Sequence, residues 1–240
     1  MLQPAQGYRA GTDAVLLAAS LAPPTTGSVR ILDVGSGVGV VGLCVAARLH
    51  GSSITLLEKQ PELVDLARQN IQRNNLSKRA VAVEYDVFQS EGRGNLSSEF
   101  FDCVVSNPPY YDSQCTRPSD NALKAAAHTM GRGGLDGWLD FMVSKLRRGG
   151  RLLLIHRADN LANVLNATKG RLGALIVKPI HPRLGTPAHR IIVQGTKGSG
   201  KPLLLAPPLI LHNSGLGYRR DVERVLRFGA ALDLTTAGTQ

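Results

Sequence analysis

The residues richest in chemistry are Asn107-Pro108-Pro109-Tyr110. Two consecutive prolines hold the backbone extended and rigid and have no N–H to donate, so the carbonyls of this segment are left to accept hydrogen bonds. Asn107 adds a side-chain amide oxygen and Tyr110 a flat aromatic face. Together they form a receptor for a planar amine, with two acceptors for an NH2 group and a ring stacked below. The apolar run Phe101–Ser106 comes directly before it and reads as a strand. The receptor therefore stands at a strand's carboxyl end.

A second constellation lies upstream. Val29–Val34 reads as a short apolar strand running into a turn with Gly35, Gly37 and Gly39, and then into a helix. Such a turn brings the backbone close to a ligand, and the helix points its unpaired N–H groups at it. Asp33, at the strand's last turn, repels a pyrophosphate but suits a cationic or amino-acid-bearing ligand, which favours S-adenosylmethionine over a dinucleotide. Gly37-Val38-Gly39-Val40-Val41-Gly42 also satisfies G-x-G-x-x-G, so the pattern alone leaves NAD and a dehydrogenase open. Glu58 ends the next strand, Ser53–Leu57, 19 residues past Gly39. An acid there can accept two hydrogen bonds from ribose hydroxyls, which both ligands carry. Asp86, past the strand Ala80–Val83, can accept from an adenine amine while a neighbouring apolar side chain such as Val87 packs on the ring.

The set Asp33-Val34-Gly35-Ser36-Gly37-Val38-Gly39, Glu58, Asp86 and Asn107-Pro108-Pro109-Tyr110 resembles class I S-adenosylmethionine-dependent methyltransferases of the N-P-P-Y amino-methylating group. Its members methylate N6 of adenine in DNA or RNA, or the side-chain amide of glutamine in release factors. Gln3-Pro4, Gly7-Tyr8-Arg9-Ala10-Gly11-Thr12-Asp13, Ala188-His189-Arg190-Ile191-Ile192-Val193 and Leu209-Ile210-Leu211-His212 are similar to the bacterial family of tRNA methyltransferases that modify the adenine beside the anticodon of a valine tRNA. The resemblance covers nearly the whole chain. It implies a Rossmann-like α/β fold: a seven-stranded, mostly parallel sheet, helices on both faces and an antiparallel final strand. It implies S-adenosylmethionine as cofactor, with Arg9, Thr12, Asp13, Ser36, Lys59, Val87 and Asn107 joining Asp33, the turn glycines, Glu58 and Asp86 around it. Asn107, Pro108, Pro109 and Tyr110 become the catalytic set, and the product N6-methyladenine in structured RNA, most naturally tRNA near the anticodon. A protein glutamine N5-methyltransferase is the nearest alternative within the enzyme class. An RNA-binding module with a vestigial cofactor pocket is the non-enzymatic one.

These motifs need elements to hold them. A helix is expected from an N-cap at Thr12 to Leu21, closed by Pro23 and Pro24. Residues 1–28 are expected to cover the cofactor pocket, with one methyltransferase domain over 29–240. This lead-in begins abruptly, which suggests residues upstream of Met1. Further helices are expected over Val40–Leu49, from Pro61 to Asn74-Asn75, over Leu135–Leu146 and over Ala158–Lys169. Arg147-Arg148-Gly149-Gly150 reads as a turn, with strands at Arg151–Ile155, Ala174–Ile180 and Arg190–Gln194. Glu91–Ser98 and Asp112–Gly134 read as loops, the second long, mobile and flanking the substrate site. Trp138, Phe141 and Met142 read as core.

Charge points to the partner. The chain carries a formal net charge of +10. Residues 1–112 hold 9 Lys+Arg against 11 Asp+Glu, and residues 113–240 hold 19 against 7, a balance of −2 and then +12. A strongly basic half is the footprint of a polyanion such as RNA. Gly195-Thr196-Lys197-Gly198-Ser199-Gly200-Lys201 mimics a phosphate loop, but Pro202 replaces the metal-binding hydroxyl residue, which argues against a kinase or ATPase. Lys197 and Lys201 are better assigned to RNA phosphates, joined by Tyr111, Arg183, Arg219 and Arg220. Three cysteines without C-x-x-C spacing and six scattered histidines give no metal site. No apolar run reaches bilayer length, so a cytoplasmic protein without a membrane partner is expected. No feature sets an oligomeric state.

Overall fold

Apolar strands alternating with helical stretches favour a mostly parallel sheet covered by helices on both faces. The computed structural model describes residues 1–5, 11–23, 27–88, 96–109, 111–112, 129–130, 133–213, 215 and 217–237. Its strands are β1 (Val29–Val34), β2 (Ser52–Glu58), β3 (Ala80–Glu84), β4 (Phe101–Ser106), β5 (Tyr111–Asp112), β6 (Thr129–Met130), β7 (Leu146–Arg157), β8 (Leu172–His181), β9 (Arg190–Lys197), β10 (Leu204–Leu205) and β11 (Leu209–Ile210). The main sheet runs β3-β2-β1-β4-β7-β9-β8. Within it only β9 is antiparallel to its neighbours, β7 and β8. The short β10 and β11 both pair with β8, so among the described residues the sheet has nine strands, two more than expected. β5 and β6 form a separate two-stranded ribbon.

Strand order reverses between β1 and β4. The chain builds outward through β2 and β3, then returns to place β4 on the other side of β1. The carboxyl ends of β1 and β4 therefore flank a crevice, the position where open α/β sheets bind their ligands.

The helices are α1 (Thr12–Ser20), α2 (Val40–Arg48), α3 (Pro61–Arg73), α4 (Gly134–Lys145), α5 (Leu161–Thr168) and α6 (Arg220–Phe228). Successive strand residues face opposite sides, and β1 shows the consequence. Ile31 joins one core with Leu17 of α1, Val45 of α2, Val64 of α3 and Val225 of α6. Leu32 joins the other with Leu139 and Met142 of α4 and Val164 of α5.

Several boundaries differ from expectation for physical reasons. Residues 147–150 fall within the bounds of β7, but its register with β4 shifts there, from Phe101 opposite Leu146 to Cys103 opposite Arg151. Gly149 is left-handed at φ +74°, so the expected turn is present as a bulge inside the strand. The Asp102 carboxylate anchors this end, accepting from Arg147 Nε on one oxygen and from Arg30 N, at 2.8 Å, on the other. Thr12 is the first residue of α1, not its cap; Gly11 holds that place and no side chain caps the helix. The helix expected over Ala158–Lys169 is divided between a 3-10 turn, Ala158–Asn160, and α5. The loops expected at Glu91–Ser98 and Asp112–Gly134 fall largely outside the described residues. Helix α6 was not expected; it buries Val222 and Val225 and packs against α1. The fully buried Lys178 of β8 donates to the Thr236 carbonyl and pins the following segment. No described helix is long and apolar enough to cross a membrane.

Helix α2 lies very close to the sheet. A Cβ at Gly42 would sit 2.4 Å from Leu56 Cδ2 and 2.8 Å from Ile54 Cγ2. Gly42→Ala should therefore cost roughly 1–3 kcal/mol through overpacking, read as a lower urea midpoint. Gly11→Ala meets no neighbour within 4 Å and should cost only about 0.5–1 kcal/mol, the loss of a glycine N-cap, a smaller drop in the urea midpoint than that of Gly42→Ala.

Candidate active site

The glycine turn leaves β1 through three left-handed positions, with φ of +68° at Gly35, +56° at Gly37 and +88° at Gly39. Side chains strain such a backbone, so the turn depends on glycine. Strand β2 holds it in place. Ser36 N donates to the Leu57 carbonyl at 2.8 Å, and Gly37 N donates to Glu58 Oε2 at 2.9 Å. Glu58 Oε1 accepts from Lys59 N at 2.8 Å and Gln60 N at 3.0 Å. Lys59 thus contributes its backbone N–H. At Gly37 nothing lies within 4 Å of where a Cβ would be, so one side of the turn is open. Beside it, the Ser36 hydroxyl is buried without a partner among the described residues.

Asp33 requires a correction. Its carboxylate was expected to face the ligand, but it is 1% exposed and Oδ2 accepts from Gly42 N at 2.9 Å. Gly39 has no side chain with which to cap α2, so Asp33 satisfies one of the helix's orphan N–H groups from the neighbouring strand. Burial pushes its pKa up to about 7, with the Glu58 charge adding to the rise and the Gly42 hydrogen bond opposing it.

The segment expected to receive the amine lies alongside. Pro108 is buried, while Asn107 and Pro109 are half-buried at the end of β4. The preceding Ser106 is fully buried; its hydroxyl donates to the Val34 carbonyl at 2.8 Å and accepts from Trp138 Nε1 at 3.0 Å. The Trp138 ring reaches Gly35, where a Cβ would lie 2.8 Å from Cζ2. Beyond β3, Asp86 Oδ1 accepts from Phe88 N at 3.0 Å, and the Phe88 ring lies 5.9 Å from that of Trp138. Val87 packs against the same core. The turn, Glu58, Asp86 and Asn107 thus all lie at the carboxyl edge of β1 to β4. Arg9 and Tyr110 lie outside the described residues, and so does the side chain of Tyr111, whose backbone pairs with Thr129 in the small ribbon.

Residues 10–136 match the methyltransferase small domain family. The chain belongs to that family. A crystal structure of a predicted O-methyltransferase from Agrobacterium tumefaciens is 30% identical, with a TM-score of 0.76 over 92% of this chain and 98% of that one. A tRNA1(Val) (adenine(37)-N6)-methyltransferase from Porphyromonas gingivalis is 33% identical over 50% of this chain and 48% of its own length. A release factor glutamine methyltransferase from Chlorobaculum tepidum is 32% identical over 58% of this chain and 49% of its own. The chain therefore matches about half the length of these two curated relatives.

S-adenosylmethionine is the cofactor of this methyltransferase, and the site fits it. Glu58 is an acceptor at a strand end, the turn is open at Gly37, and the Ser36 hydroxyl lacks a described partner. Asp13, expected near the cofactor, forms an ion pair with Arg190 at 2.7 Å and so ties α1 to β9.

The expected RNA contacts separate into two groups. Lys197 is not a free surface cation. It pairs with Glu99 at 3.0 Å and donates to the Val143 and Leu146 carbonyls at 3.0 and 2.8 Å. The pairing register puts Thr196 opposite Arg151, at the sheet edge where β4 and β7 begin, whereas Ser106 lies opposite Leu154 near their carboxyl ends. Exposed Lys201 follows at that far edge. Arg183, in the β8–β9 loop, and Arg219, just before α6, lie at the same edge of the sheet as Asn107. Arg219 is 3.8 Å from Asp221, and Arg220 is exposed at the start of α6. Sequence reasoning missed Ser106; Trp138 is core as expected, and its hydrogen bond to Ser106 is what the sequence reading did not foresee. The available signals were that Ser106 directly precedes Asn107 and that Trp138 is the chain's single tryptophan.

Asp33 sets a pH dependence. Because its folded pKa lies above the ordinary 3.8, the native state holds a proton that the unfolded chain releases. Its contribution to stability is full below about pH 4 and is lost as pH rises towards 7 and above, by at most roughly 4 kcal/mol. Asp33→Asn keeps an acceptor for Gly42 N–H. Urea melts between pH 5 and 8 should show a flatter stability profile for this variant than for wild type.

Proposed function

We propose that this methyltransferase transfers the methyl group of S-adenosylmethionine to the N6 amine of an adenine in structured RNA, most naturally tRNA beside the anticodon. The observation that carries the reading is Asn107-Pro108-Pro109 at the end of β4, next to the turn at the end of β1. When bound, the cofactor supplies an electrophilic methyl on a sulfonium. An exocyclic amine is a poor nucleophile because its lone pair is spread into the ring. The Asn107 side-chain oxygen and the Pro108 carbonyl, accepting from its two N–H bonds, favour a pyramidal nitrogen and direct the lone pair at the methyl carbon. The N–CH3 bond forms as the S–CH3 bond breaks, and the surplus amine proton leaves to water. Catalysis then rests on orientation and electrostatics, with no strong base required.

The other residues hold the reactants. A carboxylate offers about four lone-pair sites, and three on Glu58 already receive backbone N–H groups. One, on Oε2, is available to a ribose hydroxyl, and a second hydroxyl would have to displace one of these three N–H groups. The second oxygen of Asp86 suits the cofactor's adenine amine, and the Ser36 hydroxyl suits its polar amino-acid end. Tyr110 is assigned to stacking on the target base, a contact worth ~1–3 kcal/mol in single-stranded recognition. An unpaired adenine in a loop avoids most of the cost of extruding a base from a duplex.

A glutamine side-chain amide offers a similar planar NH2, and relatives named for that activity make it the second reading. The +12 balance of residues 113–240 favours RNA, as do Arg183, Arg219 and Arg220 at the Asn107 edge.

Wild-type protein incubated with labelled cofactor should methylate bulk tRNA from cells lacking the enzyme, with N6-methyladenosine found on digestion. Asn107→Ala should lower that rate by about 100-fold or more while leaving the cofactor Kd within about threefold. Label appearing in a glutamine-containing release-factor peptide and not in tRNA would overturn the adenine assignment. Glu58→Ala should instead weaken cofactor binding by roughly 10- to 100-fold, the usual range for lost hydrogen bonds to a charged group.

A further inference from the structure

We propose that Trp138 is the positioning residue that fixes the amine receptor against the cofactor turn, an inference resting on the reading that Asn107 grips the acceptor amine. A single hydrogen-bonded relay crosses the site. Trp138 Nε1 on α4 donates to Ser106 Oγ at 3.0 Å, and that hydroxyl donates to the Val34 carbonyl at 2.8 Å. Ser106 immediately precedes Asn107, and Val34 immediately precedes Gly35. The relay thus couples the two chain ends between which the methyl group must pass.

The indole acts through its ring as well. Its Cζ2 and Cη2 would lie 2.8 and 2.9 Å from a Cβ at Gly35, so ring and turn fit only because residue 35 has none. Phe88 holds the indole from the side, with centroids 5.9 Å apart, and Phe88 itself rests on Gly133, where a Cβ would meet its Cε1 at 2.7 Å. Both Ser106 and Trp138 are buried, so water cannot readily replace a lost partner and the relay has one low-energy arrangement. Phenylalanine would serve a merely apolar packing role equally well. The N–H is what ties Trp138 to Ser106, and Ser106 to the backbone of β1.

Near-attack geometry places reacting atoms about 3–3.5 Å apart, and a misplacement of about 1 Å can cost on the order of 100-fold in rate. Loosening the relay should therefore affect kcat and leave cofactor affinity largely intact. The test compares Trp138→Phe, Ser106→Ala and the double variant on whichever acceptor the wild type methylates, tRNA or a glutamine-containing peptide. Each single change should lower kcat roughly 10- to 100-fold, with the cofactor Kd by calorimetry within about threefold. The double variant should be no worse than the poorer single one, because both break the same relay. Trp138 is the only tryptophan, so wild-type indole emission should change when cofactor is added. Unchanged kcat in Trp138→Phe, additive losses in the double variant, or losses that merely follow the folded fraction in thermal melts would overturn the proposal. Activity on the peptide alone would sink the adenine reading yet still decide the relay, since the variants are ranked on that same acceptor.

Discussion

Parallel pairing of β1 with β4 is the constraint on which the rest depends. Ile31 lies opposite Cys103 and Asp33 opposite Val105. Two segments 72 residues apart, Val34 and Ser106, are thereby brought within one hydrogen bond of each other. The glycine turn, open on one side at Gly37, and the proline-stiffened segment consequently share one edge. Antiparallel pairing of the same strands would put them at opposite ends of the sheet.

The site is held mainly by carboxylates and backbone. Glu58 secures the turn through Gly37 and the next connection through Lys59 and Gln60. Asp33 secures the start of α2 from beneath. Neither acid needs a cationic partner, because backbone N–H groups at a helix start and a tight turn already favour negative charge. Asp33 is nevertheless buried deeply enough that desolvation outweighs its hydrogen bond. His156, near the end of β7 and 1% exposed, is likewise held uncharged, its pKa pushed down to about 4 by burial.

The basic residues are less uniform than their number suggests. Arg30 and Arg147 converge on Asp102, Arg190 on Asp13, and Lys197 on Glu99. These pairs join elements distant in sequence, so part of the positive charge organises the fold. Among the arginines at the Asn107 edge, Arg183 and Arg220 remain exposed. Count alone could not separate the two uses, because pairing depends on which acid the fold brings near.

What the sequence by itself determined was local. The strands β1, β2 and β4, the glycine turn and the proline segment could be read because short apolar runs, glycine spacing and proline geometry act over a few residues. The antiparallel β9 came from resemblance, as periodicity carries no strand direction. Tertiary structure alone decided what depends on distant neighbours. It confined the irregularity at Arg147-Arg148-Gly149-Gly150 to a bulge within β7, anchored on Asp102, and it gave α6 a partner in α1. It turned Asp33 inward to Gly42, and it joined Trp138 to Ser106. The physical reason is the same throughout: the direction a buried polar group faces is set by the partner that satisfies it, and that partner is supplied by another element.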